Sequence, residues 1–553
     1  MKKYLLFFLM LTVSPFAFAN DITISNFTVT AIDRINKKVE VTFDISWENS
    51  WILPGKNHDA AWVFMKWYDP ARYCYRKCTI SSVSSLGADG DADGEPDDVE
   101  SLVAENGVGF FLRRHVSLTA NYFGTLTRTG VKVLWDYPSD LYNGAIDLQA
   151  KSARLKIFAI EMVYVPEGEY YLGDGAAGIE SVKSFHEEDN KAFLVTDEMK
   201  NFTWDDQGST LNFAISLSSG LKVNSVTYPD YPTGGKAFYC MKYEISQGQY
   251  KDFLNTLSRE QQTEHVLTNI TSSFGSGTVA HEMVMTDTDI TNIVNRQAIS
   301  MPESFNAPYI SIVFGCDYNA NRVFDEADDG ECIALGNIDW LDFGAYADWA
   351  GLRPMTEFEY EKACRGPAVP TAGDYAWGSK AAPTYASDNP TDAGTKFESV
   401  STKGFGLVYL GSFPSSGPLR SGFAAQNVSG TRGDYGASCW GIMDLSGNQA
   451  EWLIGIDGFI GYNEYTYKGE HGDGNLDSFG LYDAFGTESW PPTGKNGTTG
   501  NAFYNPDLRG GVYNPSSLTM ELMPVSARES YAQDASVVVR HGRSSGRFVR
   551  TEL

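Results

Sequence analysis

The chain has 553 residues, a formal charge of −27, and 42% hydrophobic and 13% aromatic residues. That length and apolar content suffice for two or three domains with sizeable cores and exclude a mainly disordered chain. The acidity argues against nucleic acid and anionic membrane surfaces as partners; it suits a protein that binds cations, or one that charge merely keeps soluble.

Residues 1–19 read as a signal peptide. Lys2 and Lys3 form its charged start, Tyr4 to Val13 its apolar stretch, and Ala17-Phe18-Ala19 its cleavage pattern, so the mature chain is expected to begin at Asn20. The apolar stretch is too short to span a bilayer, and no later segment has the length or purity of a transmembrane helix. The expected destination is the periplasm, the cell surface or the medium.

Residues 20–156 read as an all-β domain. Val39, Val41, Phe43, Ile45 and Trp47 alternate with Glu40, Thr42, Asp44 and Ser46, the period of a half-buried strand. Ala61 to Tyr68 is a continuous apolar run fit for a central strand. Val131, Val133 and Trp135 alternate again, as do Leu155, Ile157 and Ala159. Short strands without a convincing helix predict an immunoglobulin-like sandwich. Within it, DGDADGEPDDVE places Asp89, Asp91, Asp93, Asp97 and Glu100 at positions 1, 3, 5, 9 and 12, with Gly94 at 6. Side-chain oxygens on alternate residues around a glycine turn fit calcium; the alternative is a solvated acidic turn.

Residues 157–553 read as a second, α+β domain. Glu161 to Gly173 is strand, turn, strand. Ser246 with Gln249, and Thr356 with Glu359, form capping boxes, and Asp339 and Asp342 start a further helix. Gly351 and Gly366 are the helix stops. Residues 176–230 and 258–305 look like insertions. The run DYNANRVFDEAD repeats the acidic spacing with Asp317, Asn319, Asn321, Asp325 and Asp328, although Arg322 replaces the glycine. Seven cysteines leave at least one unpaired. Cys74 with Cys78, and Cys316 with Cys332, are candidate disulfides; Cys240, Cys364 and Cys439 read as buried thiols. Loops with Tyr462, Tyr465, Tyr467, Trp490, Tyr504 and Tyr513 offer either contact surface or core packing.

The segment GIMDLSGNQAEW (441–452) crowds oxygen donors into one turn, which suits a hard cation. Together with IEMVYVPEGEYYLG, FYCMKYEISQGQYKDFLN, YADWAGLRPMTEFEYEKACRG, LRGGVY and SGRFVR, it resembles the formylglycine-generating enzyme, or sulfatase-modifying factor, family. The resemblance covers residues 160–550 and implies a C-type-lectin-like fold with much irregular loop. It also implies a calcium site at Asp444, Gly447, Gln449 and Glu451.

The family's oxidase chemistry implies two copper-binding cysteines, five apart, soon after a double glycine. Here the glycines are Gly510 and Gly511, and the two positions hold Pro515 and Met520, with no cysteine after Cys439. Neither residue can supply a thiolate. A disulfide seen in some members would join Cys364 to the position of Val525, so that bridge is also missing. The seven histidines show no HxxxH or HExxH spacing, so neither copper nor iron is expected. The chain therefore reads as an exported calcium-binding module that binds a protein or glycan at the cell surface, or assembles with itself. The alternatives are an adhesin with diversified loops and a divergent enzyme of the same fold, an oxidoreductase or cofactor-tailoring one, with a site near Tyr513, Arg528 and Glu529.

Overall fold

The computed structural model describes residues 21–90, 98–140, 154–175, 184–186, 191–196, 203–206, 212–216, 226–227, 231–270, 282–286, 288–289, 293–302, 310–386, 389–402, 404, 406, 408–409, 417–425, 430–455, 467–482, 490, 506–513, 522–528, 540 and 542–552. It is mostly β, with few helices. The first part holds strands β1 (Thr23–Asp33), β2 (Lys38–Leu53), β3 (Asn57–Asp69), β4 (Cys74–Lys77), β5 (Ile80–Asp89), β6 (Val99–Val103), β7 (Phe110–Arg114), β8 (Tyr122–Asp136) and β9 (Leu155–Val165).

These strands make two layers. In one, β1, β2, β8 and β5 pair antiparallel in that order. In the other, β9 lies on one edge of β3, β4 and β7 lie on its other edge, and β6 pairs with β7. The layers meet at the β2–β3 hairpin. Its Pro54-Gly55 turn is closed by the Lys56 N–H donating to Leu53 O at 2.9 Å. Pro54 presets one turn angle, and Gly55 takes φ +69°, which a side chain would resist. The alternation read in β2 is what fills the space between the layers: Val39, Val41, Phe43, Ile45 and Trp47 are all buried, in one core with Ala61, Val63 and Met65 of β3.

Strand β3 has a second buried face. Ala60, Trp62 and Phe64 point into a larger core with Phe111, Ile160, Met162 and Tyr239. A strand covered on both faces reads as a nearly continuous apolar run, which is the pattern of Ala61 to Tyr68, broken only at Lys66. Strand β9 carries the sheet onward across residue 157. It pairs with β3 from Asp59↔Val163 to Trp67↔Leu155, and with strand Phe238–Met241 from Met241↔Met162 to Phe238↔Val165. Strands Phe548–Thr551 and Arg353–Pro354 extend the same sheet. The N-terminal strands and the remainder thus share one hydrogen-bonded sheet.

Among the described residues the α-helices are α1 (Gln247–Leu254), α2 (Arg259–His265), α3 (Trp340–Trp349) and α4 (Glu357–Arg365). All four begin with a capping box, on Ser246, Ser258, Asp339 and Thr356. Helix α2 falls in a segment read as an insertion, although Ser258 and Gln261 carry the same start signal as α1. The stops hold as well: Gly351 and Gly366 both take positive φ just past their helices. No helix among the described residues is long and apolar enough to cross a membrane.

Candidate metal centre

The clearest cation-binding arrangement lies in the acidic loop after strand Gly315–Cys316. Asp317 is buried, and its two carboxylate oxygens accept the backbone N–H groups of Asn321 (3.1 Å) and Arg322 (3.0 Å). The Oδ1 atoms of Asn319 and Asn321 accept the N–H groups of Asn321 and Val323, at 2.9 and 2.7 Å. The side-chain oxygens at positions 1, 3 and 5 thus fold the loop back on itself, while keeping lone pairs that backbone donors do not use. Arg322, at the position of the missing glycine, takes φ +72°, so the turn forms at some strain.

The acidic side chains gathered here are not all those of the 1-3-5-9-12 spacing. Asp325 is drawn away: its Oδ1 accepts from the Cys316 N–H at 2.9 Å and from Lys251 Nζ of α1 at 3.1 Å. Asp328 stays, with Asn319 Nδ2 donating to it at 3.1 Å. Two residues outside the 1-3-5-9-12 pattern join it. Glu326, Asp328 and Asp329 each bring a carboxylate oxygen within 4.8 Å of the others. Asp329 is buried; its Oδ2 accepts the Glu326 N–H at 2.8 Å, whereas its Oδ1 has no hydrogen-bond partner. Burial, with the carboxylates of Asp317, Asp328 and Glu326 nearby, pushes Asp329 up to about 6. A buried acceptor left without a donor among like charges is costly, and an oxygen-seeking divalent cation removes that cost. These residues fit calcium. Only Asp329's place in the sequence, one residue past the pattern's last position, could have flagged it.

Of the first acidic loop, Asp91, Asp93 and Asp97 lie outside the described residues. Asp89 ends β5, exposed, opposite Arg128. Glu100 sits in β6 directly opposite Arg113, whose Nε donates to it at 2.9 Å.

The turn at 444–451 is built by strand Ala450–Ile454, which pairs with Pro506–Arg509 on one side and Ser544–Ser545 on the other. Asp444 and Asn448 take φ +60°, a conformation that short polar side chains tolerate, and Gly447 takes φ +105°. The Gly447 N–H donates to Gly510 O at 2.7 Å, and the Gln449 N–H to Glu244 Oε1 at 2.9 Å. Asp444 Oδ2 accepts the Gly422 N–H. Both oxygens of Glu451 accept from Arg547 Nε at 2.8 Å, and Nη2 lies 2.6 Å from Oε1. In the quartet Asp444, Gly447, Gln449 and Glu451, burial raises both carboxyls, and the Gln449 side chain is buried with neither its Oε1 nor its Nε2 hydrogen-bonded.

No cysteine pair is bridged: Cys74, Cys78, Cys240, Cys316, Cys332, Cys364 and Cys439 are all free thiols. Cys74 opens β4 and Cys78 directly follows it. Four residues of extended chain span about 13 Å, beyond the reach of a disulfide. Cys316 is buried in its strand, while Cys332 turns its Sγ toward Gly394 O at 3.7 Å. Burial pushes the Cys240 thiol up to about 12, which makes it inert. Cys364 is also buried, in one core with Val525, whereas Cys439 is half-buried. Reductant is therefore expected to leave the melting temperature unchanged. Thiol titration of the unfolded, unreduced chain should count all seven cysteines; a count lower by two would reveal a bridge.

Two of the side chains proposed for an enzyme site, Tyr513 and Arg528, make structural contacts. Tyr513 is buried, and its hydroxyl donates to Asn295 Oδ1 at 3.0 Å. Arg528 is buried against Glu357, with Nε donating at 2.6 Å and Nη2 at 2.7 Å. Glu529, Pro515 and Met520 lie outside the described residues, as do Tyr462, Tyr465 and Tyr504. Tyr467 and Trp490 are core residues that donate to Pro354 O and Glu470 O. Tyr467, Trp490 and Tyr513 therefore pack the interior.

No curated protein matches the sequence. The profile of the sulfatase-modifying factor enzyme 1-like domain matches residues 156–479, which start at β9 and take in α1 to α4, the acidic loop and the 444–451 turn. That match covers more than half of the 553 residues, and the chain belongs to this family.

Proposed function

We propose that the protein is an exported calcium-binding member of the family that does not generate formylglycine, and that acts as a binding or assembly module at the cell surface. In this reading the N-terminal layers are an immunoglobulin-like sandwich and the rest is a C-type-lectin-like body. Its partner is a protein or glycan, or further copies of the chain. The observation that supports calcium is the buried, unpartnered Oδ1 of Asp329 among the carboxylates of Asp317, Glu326 and Asp328. The loss of oxidase chemistry rests on the sequence, where Pro515 and Met520 stand at the family's cysteine positions.

The test is calcium titration of the full chain after stripping with a chelator, followed by calorimetry and melting curves. Calcium at a hundredfold over Kd stabilises by about 2.7 kcal/mol, so a rise of roughly 2 °C is expected. Asp329→Ala should bind one ion fewer. A flat titration with an unchanged melting curve defeats the calcium reading. Conversion of a cysteine-containing sulfatase peptide to formylglycine defeats the other half.

A further inference from the structure

A cavity of about 670 Å³ opens where the N-terminal strands meet the family domain. Its walls are aromatic: Trp51, Phe123, Tyr243, Tyr435 and Trp440. Trp51 of β2 and Phe123 of β8 stand directly opposite each other and so share one face of their sheet. Phe123 is 71% exposed, so core packing does not account for an aromatic ring there. Trp440 is fixed in place. Its Nε1 donates to Lys362 O at 2.9 Å, and its carbonyl accepts from Asn57 Nδ2 at 2.6 Å. A ring held in this way loses little freedom when a ligand stacks on it.

Three polar side chains interrupt the aromatic lining. Ser438 is buried, and its Oγ accepts the N–H groups of Trp440 and Ile442, each at 3.2 Å. Those bonds use the lone pairs, and the hydroxyl proton has no acceptor among the described residues. Asn57 is buried too, and its Oδ1 accepts no hydrogen bond among the described residues. The Arg432 guanidinium is anchored by Nε to Trp377 O at 2.7 Å and makes no ion pair among the described residues. Lys242, by contrast, is engaged: Nζ lies 2.9 Å from the Glu161 carboxylate and 4.9 Å from the centre of the Trp51 ring.

Aromatic walls alone would accept any apolar body. A lipid tail or an apolar side chain, however, would cover the Ser438 proton and the Asn57 oxygen without bonding to them, which is costly. Two cations on the lining repel a cationic ligand. A pyranose ring meets each demand. It has an apolar C–H face for the aromatic wall, and its hydroxyls both donate and accept. The volume lies in the range of small-ligand sites. We propose that this cavity binds a pyranose ring of a glycan, with its C–H face on the aromatic wall and its hydroxyls at Ser438, Asn57 and Arg432. The proposal rests on the glycan reading of the proposed function and gives it a site. It does not involve the loop around Asp329. Because β2, β3 and β8 supply Trp51, Asn57 and Phe123, the N-terminal strands are part of the site.

Saturation-transfer NMR on the full chain tests this with the methyl glycosides of glucose, galactose, mannose and N-acetylglucosamine. At millimolar sugar, ring C–H protons of at least one glycoside should receive saturation, with calcium present or removed. Phe123→Ala should weaken that binding roughly fivefold and leave the melting temperature unchanged, since the ring is exposed. Tyr435→Ala should weaken it to a similar degree. The proposal is overturned if none of the four sugars receives saturation, or if both variants bind as the unaltered chain does. It is also overturned if a tryptophan-containing tripeptide binds here and no sugar does, or if chelation abolishes the signal in protein that stays folded. Calcium binding is read in its own titration, so a chain that binds calcium and no sugar loses this proposal alone.

Discussion

Glu357→Ala is expected to lower the melting temperature by roughly 4 °C, more than any change at a surface carboxylate. Glu357 opens α4 with its side chain fully buried between two arginines. Arg528 donates to it at 2.6 and 2.7 Å, and Arg509 at 2.7 and 3.2 Å. Arg509 also reaches Glu361, which pairs with Arg365 at 2.7 Å, and Arg365 pairs with Asp374 at 3.0 Å. Removing Glu357 takes from the buried Arg528 its short carboxylate contacts and leaves Arg509 with Glu361 and the Val525 and Ala527 carbonyls, a break that costs about 3–5 kcal/mol in comparable buried pairs. For a unit of this size, that corresponds to roughly 4 °C. Burial alone would raise the Glu357 carboxyl, but Arg528 and Arg509 outweigh it and bring the group down to about 2.

A depressed carboxyl contributes stability that is complete above its unfolded pKa and lost as pH falls through the folded one. The unaltered chain should therefore lose stability between about pH 4.5 and pH 2 through this group. Glu357→Ala should show a shallower acid limb in melts taken over that range, and Glu357→Gln should behave like it with better packing. Equal acid limbs in all three proteins would show that the network does not depend on this charge.

The same network explains why Arg528 reads differently in sequence and in structure. An arginine after a motif loop is consistent with a ligand contact. Only the fold reveals that Glu357, 171 residues earlier in the chain, lies against it. What was legible in the sequence is what local chemistry decides. The capping boxes on Ser246 and Thr356 and the helix start at Asp339 need only four neighbouring residues, and β2 needs only its own alternation. The acidic loop was legible at Asp317, Asn319 and Asn321 for the same reason, because those side chains close their own turn. It failed at Asp325, which Lys251 of a distant helix claims, and at Asp329, whose significance lies in burial. Arg547 lies nearly a hundred residues from Glu451, and no spacing rule connects them. The proposed cysteine bridges failed on geometry that spacing cannot supply, since an extended β4 keeps Cys74 and Cys78 apart.

The division between residues 20–156 and 157–553 has a direct experimental consequence. Separately expressed, the two pieces are expected not to fold. The cut falls inside β9, two residues into a strand that pairs with β3 over nine register positions. The C-terminal piece would lose β3, leaving the edge of β9 open together with Ile160, Met162 and Tyr239, which now pack on Trp62 and Phe111. The N-terminal piece would expose Ala60, Trp62 and Phe64, and Lys66 would lose both of its acceptors, Trp349 O and Gly474 O, each at 2.6 Å. Asn57 Nδ2 donates to Trp440 O at 2.6 Å, and Trp62 Nε1 to Ala350 O at 2.8 Å, so side-chain bonds cross the same boundary. An open, apolar strand edge pairs with other chains, so aggregation is the expected fate of each piece alone. Co-expression should restore a soluble complex, because each piece supplies the strand the other lacks. Recovery of either piece as a soluble, protease-resistant monomer would mean that the shared sheet is not needed for folding. The N-terminal layers would then be an appended domain. If both aggregate alone and co-purify together, the strands before residue 156 are a structural part of the family domain in this chain.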